Sequence, residues 1–390
     1  MSKIAFFSIP AHGHTNPMLP VAAELVARGC EVRFYSFSEF REKIEVTGAT
    51  FIECDGFLGK LSDKSKKKLK SVSATEMTVQ DISITISMND FLEDEFTSFG
   101  PDAVFCDSVC FWGKLAARKY NVPIVVSTST FAFNRFSSRY IKQSIREIFD
   151  ILSGIPKISR AIKSLEPYGY KIDNPLSLIE NTNDTDTVVY TSKKFQPCAD
   201  TFSSRYAFVG PSVFSQALPS KEKERPLVYI SMGTVINERP KLYKNCIRAL
   251  RDTDVDVIIS CGRDTDISAL GDIPENIKVF PYVDQLDILS RADVFITHCG
   301  MNSVSEALYM ATPMVLLPQT GEQFAVARRV SELGAGAFLT NDSPKSIKER
   351  VTEILSSPSF VKAASDLSAD FRSCGGAKQA ADFIEKAAEK

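Results

Sequence analysis

Histidine is scarce in this chain, with three among 390 residues. A run of apolar residues long enough to cross a bilayer, about 18, is also missing, and that excludes a membrane-spanning protein as the expectation. Charge of one sign is not in excess: 46 basic against 48 acidic side chains leave a net charge of −2. Such a balance provides no general field for phosphate backbones or anionic lipid, so nucleic acid is not an expected partner. The nine cysteines are odd in number and include no CxxC pair, a pattern that suits a reducing cytoplasm better than a disulfide framework. Apolar Ile4 to Ile9 follows Lys3 but is too short for a secretory h-region and meets no small-residue cleavage site. It reads as a first strand of a soluble, cytoplasmic protein.

What the chain does have is a repeated alternation of short apolar runs and helix-periodic segments. IAFFSI, EVRFYSF, DAVFCD and PIVVST in the first half are strand-like, and LVYISMG, DVIISCG, IKVFPYV, DVFITHCG and PMVLLPQ continue the scheme in the second. Met18, Val21, Ala22 and Leu25 recur at helical spacing, with Asn16 as a candidate cap, Pro17 in the first turn and Gly29 as a stop. Continuous apolar strands alternating with amphipathic helices imply parallel sheets covered on both faces. A chain of this length exceeds one ordinary core. The Pro-, Ser- and charge-rich PSVFSQALPSKEKERP is the best linker, so the expected division is domain 1–210, linker 211–226, domain 227–374 and a closing helix 375–390. The lysine-rich run Leu61 to Leu69 reads as a solvated loop. Aromatic Phe131, Phe133 and Phe136, in a basic stretch, are candidates either for core packing or for the wall of a hydrophobic ligand site.

The histidines mark the chemistry. Two of them, His12 and His14, sit in AHGHTNP directly after the first strand, and His298 in THCGMNS follows a later one. In open α/β sheets, ligands bind at the carboxyl ends of strands. If the two sheets face one another across a cleft, AHGHTNP, SMGTVINERP and HCGMNS meet there. In the helix after His298, Val304, Ala307, Leu308 and Ala311 form the apolar stripe, and Asn302, Ser303 and Glu306 share another face. Its amino-terminal turn, preceded by Gly300, is a seat for phosphate. Glu306 would repel phosphate, but a carboxylate suits the two hydroxyls of a ribose. Phosphate plus ribose points to a nucleotide.

YVDQLDILSRADVFITHCGMNSVSEALYMATPMVLLPQTGEQ resembles the donor signature of the family 1 glycosyltransferases, and PAHGHTNPMLPVAAELVARG resembles their amino-terminal acceptor-side motif, most closely in bacterial macrolide-type members. The resemblance implies the GT-B fold, two doubly wound Rossmann-like domains, and transfer of a hexose from a UDP-sugar with inversion. It implies His14 as general base with Asp107 as its carboxylate partner. Tyr282 and Val283 would meet the uracil, and Gln285 with Glu306 the ribose. His298, Gly300, Asn302, Ser303 and Thr234 would take the diphosphate, and Glu322 with Gln323 the sugar hydroxyls. A hydrophobic small molecule bearing a hydroxyl, such as a macrolide, a flavonoid or another phenol, would be the acceptor, against Phe131, Phe133 and Phe136. YVDQ departs from the tryptophan and proline common in the family, although tyrosine still stacks. Imidazole is the side chain whose pKa suits removal of an acceptor proton near neutrality, and a carboxylate on its other nitrogen fixes the tautomer. His12 reads as a loop-packing residue. The triplet DTD occurs at Asp184, Asp252 and Asp264; turn chemistry accounts for it, and neither metal nor cofactor is expected. The rivals are a non-catalytic nucleotide-sugar-binding auxiliary protein, which would not need His14 and Asp107, and a nicotinamide-dependent oxidoreductase, for which GHTNP lacks the GxGxxG spacing.

Overall fold

The structure is a computed structural model that describes residues 1–58, 73–141, 145–172, 185–213, 224–234 and 236–390. The lysine-rich run Leu61–Leu69, Asp184 and linker residues 214–223 lie outside the described residues. The described chain divides into two compact units. Unit 1 comprises Met1–Phe136, Gln143–Val213 and Cys374–Lys390, and unit 2 comprises Ser137–Lys142 and Phe214–Ser373.

Unit 1 is built on strands β1 (Lys3–Phe7), β2 (Glu31–Ser36), β3 (Thr50–Glu53), β4 (Ala103–Asp107), β5 (Ile124–Thr128), β6 (Asp186–Val189) and β7 (Tyr206–Phe208). They form one seven-stranded sheet in the order β3-β2-β1-β4-β5-β6-β7, and every pairing is parallel. Strand order reverses between β1 and β4, and that is the switch point where a crevice opens at the carboxyl ends of strands. β4 is buried along its whole length and β1 at all but its first residue, as expected for strands with helices on both faces. Phe6 packs against Phe34 and Phe105, with centroids 5.2 and 5.0 Å away.

Unit 2 repeats the plan with β8 (Leu227–Ser231), β9 (Asp256–Ser260), β10 (Ile277–Phe280), β11 (Val294–Thr297), β12 (Met314–Leu316) and β13 (Gly336–Phe338). Its six-stranded parallel sheet has the order β10-β9-β8-β11-β12-β13, and the reversal falls between β8 and β11. Val228, Ile230, Ile259, Ile296 and Val315 supply the sheet side of the core.

Two local expectations need correction. Asn16 does not cap the helix after β1. The chain turns helical at His12–Thr15 from an extended Ala11, tightens through a 3-10 turn at Asn16–Met18, and continues as Leu19–Ala27. Pro17 has no N–H for an i−4 bond, which is why the ladder tightens there. Met18, Val21, Ala22 and Leu25 are buried as the periodicity requires. In the helix after His298, Val304, Ala307 and Leu308 are buried, but Ala311 lies beyond its end at Tyr309, in a left-handed turn with φ of 54°. The closing helix Gly376–Ala388 packs within unit 1, burying Ala380, Ala381, Ile384 and Ala387. Arg28 ties it down by donating to Asp382 at 2.6 Å, Glu385 at 2.7 Å and the Lys378 carbonyl at 3.1 Å.

Candidate active site

In unit 1 the loop after β1 and the end of β4 meet at the switch point. His14 Nδ1 lies 2.9 Å from Asp107 Oδ2, and the other carboxylate oxygen accepts the Val109 N–H at 2.9 Å. A carboxylate only accepts, so Nδ1 of His14 carries the proton in this pair. The Asp107 side chain is completely buried while His14 keeps 29% of its side-chain surface exposed. Ser129, just past β5, lies 3.2 Å from the same Nδ1. Sequence reasoning missed Ser129, and its place at the carboxyl end of a strand is the signal that could have found it. His12 packs edge-on against Phe40 with centroids 4.9 Å apart, and its Nε2 is 4.0 Å from Glu39.

The three phenylalanines separate. Phe131 is buried against Phe195 and Phe133, at 5.4 and 6.4 Å between centroids. Its ring is committed to packing, which corrects its assignment to a ligand wall. Phe133 is half-buried, and Phe136 is exposed with Arg135 over its ring at 4.6 Å.

In unit 2 the loops after β8 and β11 adjoin at the second switch point. Gly233, at φ of 77°, makes the turn after β8, and a Cβ there would stand 2.6 Å from the His298 ring. A Cβ on Gly300 would also come within 2.6 Å of that ring. The imidazole is thus flanked by two glycines, and only glycine leaves it room. The His298 Nδ1 is buried without a hydrogen-bond partner, and burial pushes its pKa down to about 4, with the Ser231 main chain opposing. At neutral pH it is an uncharged group. Thr234 beside this loop is exposed.

The Met301–Tyr309 helix begins at Gly300, which has no side chain to cap it. Asp284, Thr320 and Ser343 each cap their own helices with side-chain oxygens. The amino end at Met301 therefore presents main-chain N–H groups and positive dipole potential. Asn302, Ser303 and Glu306 are half-buried together on one side of the helix. Gln285 donates to Glu306 Oε2 at 2.6 Å and to Ser303 Oγ at 3.3 Å. Burial pushes the Glu306 carboxyl up to about 7, with Gln285 opposing and Asp284 adding to the rise. Tyr282 is 69% exposed and Val283 half-buried. Glu322 is exposed, whereas Gln323 turns its oxygen back onto the Gln319 N–H at 2.8 Å.

The described DTD triplets are held by turns and surface pairs. Asp254 pairs with Arg225 at 2.9 Å, and Asp266 accepts from the N–H and hydroxyl of Ser268 at 3.0 and 2.7 Å. Among the described residues no group of His, Cys, Asp and Glu is arranged to hold a metal ion, and no helix is long and apolar enough to cross a membrane.

Each of the two parallel α/β units brings loops together at its switch point, one with a histidine–carboxylate pair and the other with an uncapped helix end. Residues 244–382 match the family described as erythromycin biosynthesis protein CIII-like, C-terminal domain. The chain is 34% identical to the NDP-glycosyltransferase YjiC of Bacillus licheniformis, over 98% of this chain and 96% of that protein. It is 30% identical to the demethyllactenocin mycarosyltransferase of Streptomyces fradiae, over 99% of this chain and 86% of that protein. Among solved structures, the calicheamicin glycosyltransferase CalG4 superposes with a TM-score of 0.81 at 27% identity, covering 100% and 99% of the two chains. The chain belongs to the family 1 glycosyltransferases and has their GT-B fold. It is a sugar-transferring enzyme, not an auxiliary binding protein or an oxidoreductase.

Proposed function

We propose that the chain moves a hexose, glucose, from UDP to a hydroxyl of a hydrophobic small molecule, with inversion and without a metal or other cofactor. The observation that carries this reading is the His14–Asp107 pair at the β1/β4 switch point. Asp107 holds the Nδ1 proton, so Nε2 is the nitrogen that takes the acceptor's proton as its oxygen attacks the anomeric carbon. The bond from that carbon to the diphosphate oxygen breaks, and UDP departs with the electron pair. A single displacement from an α-linked donor gives a β-glycoside. Asp107 stabilises the imidazolium that forms.

The diphosphate is met by the Met301 helix end, with Gly300, Asn302, Ser303 and Thr234 around it, which supplies the positive potential a metal would otherwise give. Neutral His298 acts there as a shape-defining wall and hydrogen-bonding group. Gln285 and Glu306 take the ribose, Tyr282 and Val283 the uracil, and Glu322 with Gln323 the sugar hydroxyls. Phe133 and Phe136 face the acceptor's apolar body. The names of relatives support glucose unevenly, since one is called an uncharacterized UDP-glucosyltransferase and another a demethyllactenocin mycarosyltransferase. Incubation with a panel of UDP-sugars and one phenolic acceptor, with and without EDTA, tests the reading. UDP release, acceptor mass and the anomeric configuration of the product are the readouts. Turnover that needs added manganese, or an α-glycoside product, would overturn it.

A further inference from the structure

Tyr229 lies on β8, 1% exposed, with its ring stacked on Phe295 at 4.8 Å and 14°. The proposed reaction makes no use of it, yet its hydroxyl heads a hydrogen-bond chain. It donates to Gln285 Oε1 at 3.3 Å, and the amide nitrogen of Gln285 donates onward to Glu306 and Ser303.

While Glu306 is ionised its carboxylate only accepts, so the Gln285 NH2 faces it and the amide oxygen is left to Tyr229. An amide oxygen also only accepts, so the phenol donates to it. Polarity therefore runs from Tyr229 through Gln285 to Glu306. We infer that Tyr229 is a positioning residue for nucleotide recognition: by holding the Gln285 amide in one orientation it keeps Glu306 aimed at the ribose, and so makes the site select a ribonucleoside diphosphate over its 2′-deoxy counterpart.

The inference rests on reading Glu306 as the ribose ligand. Without the phenol hydroxyl the amide can turn over and set its oxygen against the carboxylate, which then swings away. A site built to bond a substrate hydroxyl rejects an analogue lacking it because its own polar group is left unpaired. Discrimination at the 2′ position is thus lost first, while contacts to the diphosphate, common to both nucleotides, remain.

Calorimetric titration of UDP and 2′-deoxy-UDP into the wild type, Tyr229→Phe, Glu306→Ala and the double variant tests this. Phenylalanine keeps the ring and its stack. The wild type prefers UDP, and Tyr229→Phe lowers that preference by about five- to thirty-fold, the worth of one buried hydrogen bond. UDP weakens while 2′-deoxy-UDP changes by less than about twofold. In the Glu306→Ala background the second substitution adds nothing, because the two act through one chain. A preference unchanged in folded Tyr229→Phe, or equal weakening of both nucleotides, overturns the inference. Should Tyr229→Phe fail to fold, Gln285→Leu, which removes the amide through which Tyr229 acts, decides by the same ratio, and a retained preference overturns the inference. A wild type indifferent to the 2′-hydroxyl refutes the ribose role of Glu306 itself, a failure visible before any variant is made.

Discussion

Nδ1 of His14 and Oδ2 of Asp107 stand 2.9 Å apart although 93 positions separate them in the chain. β1 and β4 are adjacent in the sheet, with Phe7 in register with Cys106, so the loop after one strand and the last residue of the other meet by topology. The pair needs no flexible element to assemble. It is pre-organised by the end of β4, which carries Asp107, and by the helical turn after β1, which carries His14.

His14→Ala is expected to lower turnover by about 10²–10⁴-fold, the usual contribution of a general base, with UDP affinity near wild type. Asp107→Asn also loses turnover, since an amide can hold the wrong tautomer and cannot stabilise the imidazolium. A phenol, which is the more acidic acceptor, suffers less from His14→Ala than an aliphatic alcohol. Initial rates with both acceptors beside UDP titrations check this. Full activity of His14→Ala with the alcohol would show that the histidine is structural.

Gly233→Ala places a methyl within 2.6 Å of the His298 ring at a residue whose φ is 77°. Both the left-handed backbone and the collision oppose it, so the expected loss is on the order of 1–3 kcal/mol of stability, with weaker UDP binding. Denaturant unfolding and calorimetry measure the two. Wild-type values for both would mean that the ring has room to move and does not shape the loop.

Much of this arrangement is legible in the chain itself, because its signals are local. AHGHTNP follows an apolar strand, THCGMNS follows another, and the face bearing Asn302, Ser303 and Glu306 comes directly from helical periodicity. Strands of three or four residues, such as β7 and β13, are too short for periodicity to mark them. Phe131 shows the other limit: an aromatic run does not reveal which ring faces Phe195 and which faces out. Ser129 and Tyr229 were invisible for a related reason. Their importance lies in partners far along the chain, Ser129 beside His14 and Tyr229 against Gln285.

The closing helix offers a test of what holds unit 1 together. Ile384 is fully buried, so Ile384→Ala should cost about 2–5 kcal/mol. Arg28 makes more bonds but leaves 25% of its side chain exposed, and pairs in water contribute little, so Arg28→Ala should cost only about 1 kcal/mol, shrinking further in salt. Urea unfolding at low and high ionic strength distinguishes them. A larger loss for Arg28 than for Ile384 would mean that charge rather than burial anchors this helix.

Glu306 ties nucleotide binding to pH. Burial raises its folded pKa from 4.5 to about 7, so the folded protein takes up a proton that the unfolded chain does not. Stability from this group is therefore fully present below pH 4.5 and is lost as pH rises through about 7. Glu306→Gln should accordingly stabilise the protein at pH 8, by about 1–3 kcal/mol, and leave it little changed at pH 4. Binding runs the opposite way, because the ribose hydroxyls donate and the ionised carboxylate accepts best. UDP affinity of the wild type should fall as pH drops from 8 to 6, and Glu306→Gln should bind more weakly at pH 8 with a flatter profile. His298, held neutral down to about 4, adds no titration in that window. Calorimetry and thermal unfolding of both proteins across pH 5 to 8 read the two trends. A wild-type UDP affinity independent of pH, or a Glu306→Gln variant less stable than wild type at pH 8, would mean that the carboxyl is ionised well below neutrality and that its burial is relieved by contacts other than Gln285.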